Sequence, residues 1–152
     1  MLQLARESDW ESVQRLSVQI HDLHVAWRPD MFCHSDEPYP KENFLADIRE
    51  RLVYVAKIDN VVVGYVVLCL MDKSGAGVNP KKLMRLDVIC VDEKVRGCGI
   101  GMKMVEDVRA LAKAFRCNGI VLSFHPENEK AMHFYQKCGF TIRTINVEMN
   151  LD

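Results

Sequence analysis

Apolar and polar positions change their period several times along the chain, and each change predicts an element. Val13, Leu16, Ile20 and Leu23 recur at the three- and four-residue spacing of one helix face. They follow Ser8-Asp9-Trp10-Glu11, where serine and glutamate stand at the separation of a capping box. A short strand near Leu2 to Ala5 precedes this helix, and Pro29 lies beyond it. Residues 29–40 hold three prolines, two aspartates and a glutamate, which predicts an irregular loop before a helix from Lys41 to about Arg51. Leu52 to Ile58 and Val61 to Leu70 are β-branched runs on either side of Asp59-Asn60, a two-residue hairpin signal. Asp72 to Pro80, with Gly75 and Gly77, reads as a mobile loop, and Leu83 to Val91 as the next strand. Helical spacing returns at Met102, Val105, Val108, Ala112 and Phe115. Gly119 to Phe124 predicts another strand, Asn128 to Cys138 a helix, and Phe140 to Leu151 the closing strand or strands.

This order requires both antiparallel hairpins and a parallel crossover, hence a mixed α/β sheet. No repeat, low-complexity tract or charge block divides the chain, so its 152 residues are expected to form one domain, 1–152, large enough for a core without disulfide staples. Twenty basic and 21 acidic residues leave a net charge of -1, which implies no global attraction to nucleic acid or to an anionic membrane. Arg6, Glu7 and Asp9 interrupt any basic-then-apolar leader, and no stretch approaches the roughly 20 apolar residues of a membrane span. The six cysteines contain no C-x-x-C pair and read as reduced thiols. These features point to a cytoplasmic protein.

The segment Val91 to Gly101, VDEKVRGCGIG, joins a strand to a helix and carries the first chemical signal. Glycines there leave backbone N–H groups uncovered at a helix start, where orphan donors and the dipole favour an anion such as phosphate. A Walker loop is excluded, because Lys103 is flanked by Met102 and Met104 rather than by Gly and Ser/Thr. A dinucleotide fingerprint would place glycine at position 102 and an acidic residue about 20 positions on, neither of which is present.

The pattern Arg96-Gly97-Cys98-Gly99-Ile100-Gly101 resembles the pyrophosphate-binding signature of the GCN5-related N-acetyltransferases (GNAT family). Downstream, Asn128, Ala131, Phe134, Tyr135, Gly139 and Phe140 fit the second pattern of that family at its usual distance. The motifs lie within residues 50–142, and the first 50 positions agree only in element order. The resemblance implies a mixed, mostly antiparallel central sheet flanked by helices on both faces. It also implies an acetyl-CoA-dependent N-acetyltransferase that acetylates a primary amine of a small molecule or peptide by direct attack. Acetyl-CoA would be the cosubstrate, with no metal. The cofactor would be held by Val91, Arg96, Gly97, Gly99, Gly101, Met102 and Asn128, the last of which could equally cap its helix.

Attack by an amine needs a base, and departure of a thiolate needs an acid. Asp87 lies four residues before Val91, hence on the same face of the strand, and the resemblance makes it a general-base candidate. It could instead pair with Arg85. Tyr135 matches the family tyrosine that protonates or hydrogen-bonds the cofactor sulfur. Ser123 stands where some relatives carry a base glutamate, and its hydroxyl cannot replace a carboxylate. His21 and His24 stand three apart on a helix without a convincing third ligand, which argues against a metal site. The alternative to an enzyme is a non-catalytic acyl-CoA-binding regulatory module. The resemblance is compatible with a homodimer formed through sheet edges or exposed helices.

Overall fold

The computed structural model describes residues 1–151. Its elements in chain order are β1 (Leu2–Leu4), α1 (Trp10–Trp27), α2 (Lys41–Glu50), β2 (Leu52–Ile58), β3 (Val61–Gly75), β4 (Val78–Val91), α3 (Ile100–Ala114), β5 (Gly119–Leu122) and α4 (Glu129–Lys137). The strands form one sheet in the order β1-β2-β3-β4-β5. The first four are antiparallel, and β5 joins β4 in parallel after the α3 crossover.

Strand alternation gives the sheet two apolar faces, each covered by helices. On one face Val53, Val55, Tyr65, Val67 and Cys90 pack with Val13 and Leu16 of α1 and Phe44 of α2. On the other, Tyr54, Ala56, Val66, Leu68, Met84 and Leu86 pack with Ile100, Met104, Val108 and Ala112 of α3. The backbone N–H of Leu2 donates to Asp107 Oδ2 at 2.9 Å, which ties β1 to α3. Asp59 and Asn60 close the β2–β3 hairpin with φ of 48° and 65°, the left-handed pair that a two-residue turn of this twist requires.

Four sequence expectations change. The Ser8–Glu11 capping box does not form. A 3₁₀ turn over Glu7–Asp9 precedes α1, and the Asp9 carboxylate accepts the Arg6 N–H at 2.9 Å and pairs with Lys57 Nζ at 2.7 Å. Asp72 to Pro80 is not a loop throughout, because β3 and β4 continue their ladder to Gly75 and Val78 and leave only a tight turn. In the β3–β4 register Val67 faces Val88 and Leu68 faces Leu86, so Asp87 is the extra residue of a bulge, and the uninterrupted alternation that linked it to Val91 fails there. Residues 141–151 form no strand, since no backbone hydrogen bond joins them to the sheet among the described residues.

Candidate active site

Pairing between β4 and β5 runs from Leu83↔Gly119 to Leu86↔Leu122 and stops, while β4 continues to Val91. The two segments part at that level, leaving an unpaired edge of β4 from residue 87 to residue 91. A parallel sheet opened in this way exposes backbone donors and acceptors to a ligand.

The segment after β4 is braced from α1. Asp92, only 6% exposed, accepts from Arg15 Nη1 at 2.5 Å, from the Lys94 N–H at 3.1 Å and from Gln19 Nε2 at 3.4 Å. Gln19 Oε1 in turn accepts the Glu93 N–H at 3.0 Å. Burial pushes the Asp92 carboxyl up, but the hydrogen bonds from Arg15, Lys94 and Gln19 outweigh it and leave the group below its ordinary value. The Arg96 Nε–H donates to the Val91 carbonyl at 2.9 Å, so this side chain braces the loop.

Gly97 and Gly99 adopt φ of +82° and +80°, and a Cβ at either would meet nothing within 4 Å. Conformation, not crowding, selects glycine there. Gly101 is different, because a Cβ would lie 3.3 Å from the Phe134 ring and 3.6 Å from Val91 Cγ2. That contact seats the start of α3 against α4 and against the end of β4. Among the described residues, the N–H groups of residues 97–102 have no acceptor. Six uncommitted donors at a helix start, in an open loop, fit a pyrophosphate.

Tyr135 lies on α4 among aromatic rings, with centroid distances of 5.4 Å to Phe124, 5.3 Å to Phe134 and 5.6 Å to Phe140. Burial raises its phenol to about 12, with a small contribution from Cys138. Phe124 stands two residues beyond Leu122, the last residue of β5, so the cluster lies on the β5 side of the sheet. Asn128 caps α4, with Oδ1 accepting the Ala131 N–H at 3.1 Å.

Asp87 does not stand beside Val91. Its carboxylate is bonded by the guanidinium groups of Arg85 and of Arg51, the residue after α2, with Arg85 Nη2 at 3.3 Å from Oδ2. These bonds hold the carboxylate between two guanidinium groups. At the C-terminal end of α1 a second cluster forms that sequence reasoning missed. The His24 ring lies 5.9 Å from Trp27 and 5.4 Å from Phe32, and Trp27 stacks on His125 at 6.4 Å. Burial, then His21 and His125, lower the His24 imidazole below 6.5. The i,i+4 pair Arg15 and Gln19, together with Asp92 just beyond a strand, carried the only sequence signal for the loop brace.

The model of the Acetyltransferase (GNAT) family matches residues 18–140. The chain belongs to the GNAT family. Glucosamine 6-phosphate N-acetyltransferase of Trypanosoma brucei brucei is 27% identical over 113 residues, covering 71% of this chain and 72% of that protein. Peptidyl-lysine N-acetyltransferase YjaB of Escherichia coli (strain K12) is 35% identical over 57 residues, 38% of this chain and 35% of that one. The solved structure of a tetramutant of the BH1408 protein from Bacillus halodurans superposes with a TM-score of 0.95 at 27% identity, covering 99% of both chains. This GNAT member is an acetyl-CoA-dependent N-acetyltransferase that acetylates an amine. No helix among its described residues is long and apolar enough to cross a membrane.

Proposed function

We propose that transfer takes place in the opening between β4 and β5, by direct attack of a primary amine of a small molecule or peptide. The observation that carries this reading is the alignment, along one strand, of an unpaired β4 edge with a loop of six unbonded N–H groups. Bound acetyl-CoA supplies an acetyl group activated as a thioester. The N–H groups of residues 97–102 would hold its pyrophosphate, and the β4 edge ending at Val91 would hold the arm. Asn128 is committed to its cap and would act by fixing α4.

The half-buried phenol of Tyr135 stays protonated throughout the physiological range, which suits a donor to the departing sulfur. For the base, the position of Asp87 between two guanidinium groups favours His24, whose lowered imidazole is neutral and able to accept a proton near pH 7. The aromatic rings around His24 offer a face to an organic amine. The protein acts in the cytoplasm, a reading supported by six cysteines that form no disulfide.

The test is thiol release from acetyl-CoA over a panel of polyamines, amino sugars, aminoglycosides, amino acids and lysine peptides. Turnover on one amine class is expected, with kcat lowered by about 100-fold or more in Tyr135→Phe while acetyl-CoA binding is retained. Asp87→Asn and His24→Gln separate the two bases, since only loss of the true base removes the acidic limb of the pH profile. An unchanged kcat in Tyr135→Phe would overturn the acid assignment.

A further inference from the structure

Tyr39, Asp47 and Arg51 form a bonded chain along α2 that the reading of acetyl transfer leaves unused. Tyr39 lies in an irregular segment, yet each of its polar groups has a partner. Its N–H donates to Gln14 Oε1 at 3.1 Å, its carbonyl accepts from Trp10 Nε1 at 3.3 Å, and its hydroxyl donates to Asp47 Oδ2 at 2.6 Å. The ring meets Phe44 edge-on at 5.8 Å and lies 6.4 Å from Tyr65. Burial, and then Asp47, push the phenol up, so it stays a donor across the working pH range. Asp47 in turn stands 3.6 Å from Arg51 Nη1, one helical turn on, and Arg51 bonds Asp87.

Both ends of this chain are anchored. Arg51 is the residue at which α2 gives way to β2, with its N–H on the Asp47 carbonyl at 2.8 Å. Asp87 is the extra residue of the β4 bulge, which ladder pairing does not orient, so its side-chain partners must. Among the described residues those partners are Arg85 on its own strand and Arg51 from the end of α2. A lone exposed ion pair would hold little. Here the side chains of Asp47, Arg51 and Asp87 are each less than a third exposed. The two ends also belong to the two sides of the candidate site. Tyr39 closes the segment that sets Phe32 against His24 at 5.4 Å, and Asp87 begins the unpaired β4 edge.

We propose that Arg51 is a positioning residue of acetyl transfer, which holds the acceptor-side segment 28–40 against the bulge where β4 opens, through Asp47 and Tyr39 in one direction and Asp87 in the other. It acts through these partners and not on the reacting atoms. Its effect is to keep the seat of the amine and the strand that receives the thioester at a fixed separation, because a misplacement of about 1 Å can cost about 100-fold in rate. The inference rests on the reading of the β4–β5 opening as the place of transfer.

Hydrogen exchange and steady-state kinetics on the full chain test it together. Tyr39→Phe removes one hydroxyl, and is expected to speed exchange at residues 36–40 and also, across α2, at residues 85–89 of β4. Asp87→Asn is expected to act in the opposite direction and loosen residues 36–40 from the far end. Arg51→Gln is expected to lower kcat/KM for the amine by about 10- to 100-fold, with the KM for acetyl-CoA within about twofold of wild type. Arg51→Lys, which keeps the charge without the planar fork, should recover part of that loss. Tyr39→Phe and Asp87→Asn combined should depart from additivity in kcat/KM by about threefold or more. Arg49→Gln, the same loss of charge at an exposed position of α2, is expected to change none of these readouts. Should Arg51→Gln fail to fold, the Tyr39→Phe and Asp87→Asn pair gives the same reading. Exchange that changes only around the substituted residue overturns the proposal, as do additive effects or an acetyl-CoA KM that rises in step with that of the amine. Absence of turnover on every amine would sink the transfer reading alone, because the exchange experiment decides the coupling without a substrate.

Discussion

Gly64, Gly97 and Gly101 lack a side chain for separate reasons, and substitution distinguishes them. A Cβ at Gly64 would sit 2.7 Å from the Cys90 carbonyl oxygen and 2.9 Å from Met104 Sδ, in the centre of the sheet. Gly64→Ala is therefore expected to destabilise the protein by about 1–3 kcal/mol, the usual cost of overpacking, read as a lower urea midpoint. Gly97→Ala meets open space but must adopt φ near +82°, which costs about 1–2 kcal/mol locally. Its effect should appear as weaker acetyl-CoA binding, measured calorimetrically, with a smaller change in stability. Gly101→Val would push against the Phe134 ring and displace the start of α3 from α4, so both readouts should fall together. The loop glycines were legible in the sequence because their spacing resembles a family signature. Gly64 was not, since the pattern of a strand cannot reveal which helix residue will press on it.

At the scale of elements, α1 is the part that sequence reasoning undervalued. Its apolar spacing announced a covering helix, and the structure adds that Arg15 and Gln19 on the same helix hold the segment that leads into the anion cradle. Asp92→Asn keeps the shape and removes the charge that Arg15 satisfies. It is expected to raise the KM for acetyl-CoA about tenfold or more through loop disorder, with Tyr135-dependent chemistry kept. An unchanged KM would show that the loop holds its form without α1. The same scale explains the misplacement of Asp87. Alternation by two carries a side chain's face only across an uninterrupted ladder, and a bulge is a property of two strands together. One strand's residues do not announce it. The turn at Asp59-Asn60, by contrast, is local chemistry and was legible from two residues. The closing strand failed as an expectation for a related reason, because a strand exists only beside a neighbour, and within one described chain residues 144–151 have none.

For the whole molecule, titration links the aromatic cluster on α1 to stability. The folded state holds His24 below 6.5, first by burial and then by the neighbouring His21 and His125, whereas the unfolded chain restores the ordinary value. Between the folded value and pH 6.5 the unfolded state therefore binds more protons, and stability rises with pH across that window. Above pH 6.5 this contribution is fully present, and below the folded value it has been lost. The carboxylates of Asp92, Asp107, Asp30 and Glu127 are all held below their ordinary values, so their contributions disappear only at more acidic pH. Two separate acid limbs should follow. Urea unfolding at fixed protein concentration, followed from pH 8 to pH 4, is expected to show a first loss of stability beginning near pH 6.5. In His24→Phe, which keeps an aromatic ring against Trp27 and Phe32, that first limb should vanish while the carboxylate limb remains. Persistence of the upper limb in His24→Phe would place the responsible proton on another group.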